Sequence, residues 1–215
     1  MLSLDHIVIA GKDAEEDSIT YNKQLAIKAV KGGEHENWGT YNYLAYFSNE
    51  SYIEWLGIQD YDKAKSSNNP LIQHLVHILD QDKKGPFQFA LRTNQMDEYV
   101  THFQENDIPF LGPFPGKRKK SDGTLISWRM LFPVYNYHKE MLPFLIQWDD
   151  TESNLMSKGL LNPQAIMKIY YNGVDKDTFN KIYRLKDKKS LLNQFSLSNS
   201  KIVFTDKEKF SFELL

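Results

Sequence analysis

The chain of 215 residues contains no cysteine. That absence excludes disulfide staples, a thiolate nucleophile and thiolate metal ligands. Any metal would have to be held by His, Asp, Glu or amide oxygens. No apolar run approaches the roughly 18 residues that a membrane-spanning helix needs. Nor is there a strong charge of one sign: 26 Lys and Arg against 28 Asp and Glu leave a net charge of −2. With no global basic field, a nucleic-acid partner is not expected. The opening Met1-Leu2-Ser3-Leu4-Asp5-His6 has neither the positive region nor the apolar stretch of a secretory signal. These absences describe a soluble cytoplasmic protein without a membrane partner. Three motifs are missing as well: a phosphate-cradling glycine loop, a serine nucleophile elbow and the His-Glu-x-x-His zinc signature.

What is present is an ordinary globular composition, 41% hydrophobic and 25% charged. The β-branched run Leu4 to Ala10 (LDHIVIA), ended by Gly11, reads as a strand. Asp13 caps a helix with Ile19, Tyr21 and Leu25 on one face, and Ala29 to Lys31 is a candidate strand stopped by Gly32-Gly33. Thr40 to Phe47 and Tyr52 to Ile58 read as two further strands. A linking helix follows within 66–86, and then the order repeats. Phe87 to Arg92 is a strand, Gln95 to Asn106 a helix, Phe110 to Phe114 a short strand, and Leu125 to Phe132 and Leu142 to Trp148 are strands. Three local matches support an internal repeat. Gly39-Thr40 matches Gly123-Thr124, Ile53-Glu54-Trp55 matches Ile146-Gln147-Trp148, and His6 matches Gln88. The expected organisation is a βαβββ module over 1–65, a linking helix over 66–86, a second βαβββ module over 87–150, and a partial βαββ unit over 151–215 that packs on the sheet. The fold class is α+β, with paired βαβββ modules forming a cupped mixed sheet. Edges left by such sheets leave homodimerisation open.

Alternation along a strand selects the candidate site. Leu4, His6 and Val8 are expected to share one face of the first strand, and Tyr52, Glu54 and Leu56 one face of the fourth. A carboxylate within so apolar a strand is costly to bury unless it is paired or ligated, and His6 is its expected partner. Repeat symmetry adds Gln88 and Gln147. A His and a Glu can hold a divalent metal, whereas two amides are weak ligands and suit a metal-free polar pocket equally well. His35 sits in the polar stretch Gly33 to Asn42, where it can act as a general base, with Thr40 and Asn42 on one strand face beside it. Trp128 and Arg129 cannot both face the cup. The Gly-Thr match turns Trp128 inward, and a bulge would reverse this and bring Arg129 to an anionic group. Both are carried as substrate-binding candidates. Lys117-Arg118-Lys119-Lys120 reads as a solvated loop, and His74 and His77 as surface residues on the linking helix.

The stretches LDHIVIAG, GGEHENWGTYNYLAYF, YIEWLGI, DGTLISWRMLFP and LPFLIQWDD resemble the glyoxalase-like branch of the vicinal oxygen chelate superfamily. That resemblance implies paired βαβββ modules around a shared site, with metal ligands on the first and fourth strand of each. Carried over, those positions are His6, Glu54, Gln88 and Gln147; many members have a His and a Glu where this chain has the two glutamines. Two readings follow. In one, a divalent metal on His6 and Glu54 polarises a small oxygenated molecule and His35 or Glu54 moves a proton, in lyase, isomerase or dioxygenase chemistry. In the other, the same cup is a metal-free small-molecule binding or sequestering pocket lined by Trp128, Tyr52 and Asn42.

Overall fold

The computed structural model describes residues 1–119, 123, 125–149, 158–185, 193–206 and 210–215. The first strand, β1 (Ser3–Ala10), runs into α1 (Ala14–Leu25). Asp13 caps this helix by accepting from the Glu15 and Glu16 amides, and the chain leaves it at Ala26 in the left-handed conformation. Next come β2 (Val30–His35), β3 (Thr40–Phe47) and β4 (Tyr52–Ile58). After the short α2 (Tyr61–Lys65), α3 (Pro70–Asp80) starts with Pro70 in its first turn and Asn69 accepting from the Leu71 amide. The second half repeats the plan: β5 (Gly85–Arg92), α4 (Met96–Glu105), β6 (Phe110–Lys119), β7 (Leu125–Pro133) and β8 (Phe144–Trp148).

These strands form one mixed sheet in the order β2-β3-β4-β1-β5-β8-β7-β6, with β9 (Leu161–Asn162) added to β3. The two halves meet where β1 and β5 pair antiparallel. The sheet curls so far that its terminal strands β2 and β6 approach one another. A second sheet, in the order β11-β12-β10-β13, is built from β10 (Ile166–Tyr171), β11 (Gln194–Ser196), β12 (Lys201–Phe204) and β13 (Ser211–Leu214), with α5 (Lys176–Tyr183) between β10 and β11. Five α-helices stand among the described residues, and none is long and apolar enough to cross a membrane.

The curled sheet separates two apolar clusters. On its outer face Ile7, Ile9, Ile53, Trp55, Phe89 and Leu91 pack with α1, α4 and the C-terminal elements. The C-terminal sheet is also tied down by polar bonds: Tyr183 Oη donates to the Pro143 carbonyl (2.6 Å), and Asn199 Nδ2 to the Leu4 carbonyl (2.9 Å). Inside the cup lie Val8, Ala10, Leu56, Ala90, Met130 and Ile146, together with the apolar face of α3.

Several expectations change. Strand β2 runs through the glycine pair to His35 instead of ending before it, because the register shift between Lys31 and Gly33 absorbs Gly32 as an extra residue. Lys117 to Lys119 are not loop: they pair with Ser127, Ile126 and Leu125 as the end of β6, while Lys120 and Thr124 lie outside the described residues. His74 is buried rather than a surface residue, because α3 lies inside the cup. Leu4 does not share a face with His6. The register shifts between them, so Leu4 packs in the outer cluster.

Candidate functional site

The bulge in β1 builds the centre of the site. Leu4 pairs with Leu91 and His6 with Ala90, which leaves Asp5 as the extra residue of the bulge. Adjacent residues that ordinary alternation would send to opposite faces are thereby brought together. His6 Nδ1 lies 2.6 Å from Asp5 Oδ1, with both residues buried. The second Asp5 oxygen accepts from the Trp148 indole N–H (2.9 Å) and lies 3.8 Å from Arg92 Nε. Burial alone would raise the Asp5 carboxyl. The His6 hydrogen bond and charge, the Arg92 guanidinium and the Trp148 donor outweigh burial and hold it below the ordinary carboxylate value. An ionised carboxylate only accepts, so Nδ1 of His6 carries the proton and Nε2 is turned away from Asp5.

Nε2 faces Glu54 Oε2 at 3.5 Å. Glu54 is held from the other side by Asn42, whose Nδ2 donates to Oε1 (2.5 Å) across the paired strands β3 and β4. Tyr52 stacks on the His6 ring (4.5 Å between centroids, 19° between planes), and Phe144 meets its edge at 5.5 Å. Asp5, His6, Glu54 and Asn42 thus form one buried chain along the first half of the sheet.

This chain opens into a cleft of about 490 Å³, with the open solvent at its mouth included. His6, His35, Asn42, Tyr52 and Glu54 line it from the first half. Across from them stand Trp128, Met130, Phe144, Ile146 and Trp148, while Trp38 comes from the β2–β3 turn and Leu71 and Ile72 from α3. Trp128 and Trp148 are cross-strand partners with rings 5.1 Å apart, tilted at 54°. Gly116 on β6 makes room for the Trp128 indole: a Cβ there would fall 2.3 Å from its Cε2. His35 Nδ1 shares a hydrogen bond with Thr40 Oγ1 (3.0 Å), so Thr40 orients His35 from behind and does not itself line the cleft.

The other sequence candidates point elsewhere. Gln88 does occupy the place of His6 in its half, because β5 carries its own bulge, at Phe87, where β1 has Asp5. Its side chain is spent on structure, however. Nε2 donates to Tyr135 Oη (2.8 Å) and the Leu142 carbonyl (3.0 Å), and Oε1 accepts from the Phe89 amide (2.8 Å). Tyr135 Oη lies 3.3 Å from His74 Nδ1, and burial pushes the His74 imidazole down to about 4, so it stays neutral. Gln147 is not the counterpart of Glu54. Val8 pairs with Glu54 and its equivalent Ala90 pairs with Phe144, so Phe144 takes that place. Gln147 faces α4, where Oε1 accepts from the Met96 amide (3.0 Å) and replaces a cap that Gln95 does not provide. Arg129 faces the same way and binds Asp97 (2.9 Å), leaving Trp128 in the cup. Sequence reasoning missed Asp5, Trp38 and Trp148. The Asp-His doublet was visible, but nothing in the chain marked the bulge that joins the two side chains.

The donor set does not fit a resident metal. Of the four positions at which a shared ion would be held, two carry His6 and Glu54, one carries the committed amide Gln88 and one carries Phe144. Among the described residues no group of three or more His, Asp or Glu is placed to hold an ion.

Residues 4–185 match the family described as glyoxalase-like domain. No curated protein sequence matches the chain. Among solved structures, a hypothetical protein from Staphylococcus aureus superimposes with a TM-score of 0.77 at 20% identity, covering 96% of this chain and 87% of that one. Streptomyces coelicolor methylmalonyl-CoA epimerase, in complex with 2-nitronate-propionyl-CoA, superimposes with a TM-score of 0.51 at 18% identity over 69% of this chain and 96% of the epimerase. Both are likenesses of fold.

Proposed function

The chain belongs to the glyoxalase-like domain family of the vicinal oxygen chelate superfamily, and from that footing we propose that it is a metal-independent enzyme that moves a proton on a small molecule bound in the cleft. One observation carries the reading: Asp5 holds the Nδ1–H of His6, so Nε2 is presented to the cleft beside Glu54. In the neutral imidazole Nε2 is a base. It takes a proton from a carbon or oxygen of the ligand, the electron pair stays on the ligand, and Asp5 and Glu54 balance the imidazolium that forms. Return of the proton to a different atom or face gives an isomerisation. His35 sits in the same cleft as a hydrogen-bonding group for the ligand rather than as the base.

The test is solvent deuterium exchange into a panel of small carbonyl compounds in D2O with chelator present, read by mass spectrometry. Exchange that His6→Gln and Glu54→Gln both abolish supports the reading. Compounds that bind to the wild type without any exchange would contradict it. A second reading, a metal-free binding protein, is favoured by the aromatic wall of Trp38, Trp128 and Trp148, which needs no chemistry to hold a flat ligand.

A further inference from the structure

The cleft is lined mainly by aromatic and apolar side chains and holds few charged groups. Among the described residues no Lys or Arg lines it, and Glu54 is its one carboxylate. Two of its donors are committed: Asn42 Nδ2 to Glu54 and the Trp148 indole N–H to Asp5. With its proton on Nδ1, His6 offers Glu54 a second acceptor at 3.5 Å rather than a donor. A carboxylate at 7% exposure that accepts from one amide is costly to bury, and a positive charge beside it offsets that cost. Asp5 has Arg92 beside it, whereas among the described residues no Lys or Arg stands beside Glu54.

The walls suit a cation as well. Trp128 lies against Gly116, and Trp148 is anchored by Asp5, so both indoles are fixed before anything binds. Indole faces attract organic cations through their quadrupole, most strongly where water is excluded.

We propose that the occupant of this cleft is a small organic cation, an amine with an apolar or aromatic body, whose nitrogen sits against the tryptophan faces with Glu54 as its counter-ion. The inference deepens the proposed function by naming the ligand class of the same cleft, yet cation recognition stands whether or not His6 performs chemistry. A cationic group beside Glu54 leaves Nε2 of His6 in place as the base.

Calorimetric titration of the full chain with benzylamine, benzyl alcohol and benzoate near neutral pH tests the inference, because the three share one ring and differ in charge. Benzylamine is expected to bind about tenfold tighter than benzyl alcohol, with benzoate weakest. Glu54→Gln removes that preference, and an unchanged urea unfolding curve shows that the variant folds. Trp128→Leu weakens benzylamine binding without making benzoate the better ligand. Benzoate binding as tightly as benzylamine, a preference that survives Glu54→Gln, or no binding of any probe to the wild type at millimolar concentration would overturn the proposal. Cation preference without deuterium exchange would instead overturn only the enzymatic reading.

Discussion

In the first half of the sheet the bulge residue is Asp5, and it joins His6, Glu54 and Asn42 in a buried polar chain. In the second half the bulge at the corresponding place carries Phe87, Phe144 stands where Glu54 stands, and Phe132 stacks on it at 5.1 Å. The backbone plan was kept in both halves while the chemistry was kept in one. The apolar half is the wall against which the polar half works: it lowers the local dielectric around His6 and Glu54 and so strengthens their interaction. A duplicated frame therefore does not imply a duplicated site. Here the second half contributes an aromatic and apolar wall, and Gln88, at the place of His6, is absorbed into a network with Tyr135.

Making the second half resemble the first should have the largest effect. Phe144→Glu removes the stack on Phe132 and buries a carboxylate with no cation beside it. A loss of about 3–5 kcal/mol in urea unfolding is expected, against the minor loss that a solvent-exposed position would give. Next comes the base. His6→Ala should reduce proton exchange by about 10²–10⁴ with little change in the affinity of a neutral aromatic ligand, read by separate exchange and binding assays.

Asp5→Asn should cost about 1–3 kcal/mol, since it leaves Arg92 and the His6 N–H with a weaker partner. Its pH signature is specific. The folded-state value of Asp5 is depressed, so its contribution is present above the unfolded value of about 3.9 and is lost as pH falls through the lower folded value. The stability gap between wild type and variant should thus be widest above about pH 5 and close toward pH 2, measured as urea midpoints across that range. An unchanging gap would mean that Asp5 is not held ionised. The smallest effect belongs to Gln147→Leu. Loss of the bond to the Met96 amide should destabilise α4 by about 1 kcal/mol and leave ligand binding untouched, which separates this residue from the site.

The frame was legible in the chain because strands and helices announce themselves locally. The LDHIVIA run, the strand from Tyr52 to Ile58 and the helix within Gln95 to Asn106 required no tertiary information. The nearness of His6 to Glu54, 3.5 Å apart, was legible too, since a carboxylate in an apolar strand points to a polar neighbour. What failed was register. The likeness of Ile53-Glu54-Trp55 to Ile146-Gln147-Trp148 is coincidental: Trp55 is buried on the outer face and Trp148 lines the cup. An odd shift in a period-two pattern reverses every side chain, so Gln147 was assigned to the wrong face while Trp148 was overlooked. The bulge at Asp5 was hidden for a related reason. It is set by pairing with β5 some eighty residues on, and no local residue preference marks it.

The central claim is that His6, held by Asp5, presents a basic Nε2 to a cleft whose other half supplies an aromatic wall and, among the described residues, no acid or base. Long-range ¹H–¹⁵N correlation of the histidine side chains tests it most directly. The account predicts that at neutral pH His6 carries its proton on Nδ1, that Asp5→Asn alters this signal, and that benzylamine shifts His6 while the buried His74 stays unchanged. A His6 found with its proton on Nε2, or one that is indifferent to both Asp5 and the ligand, would contradict it.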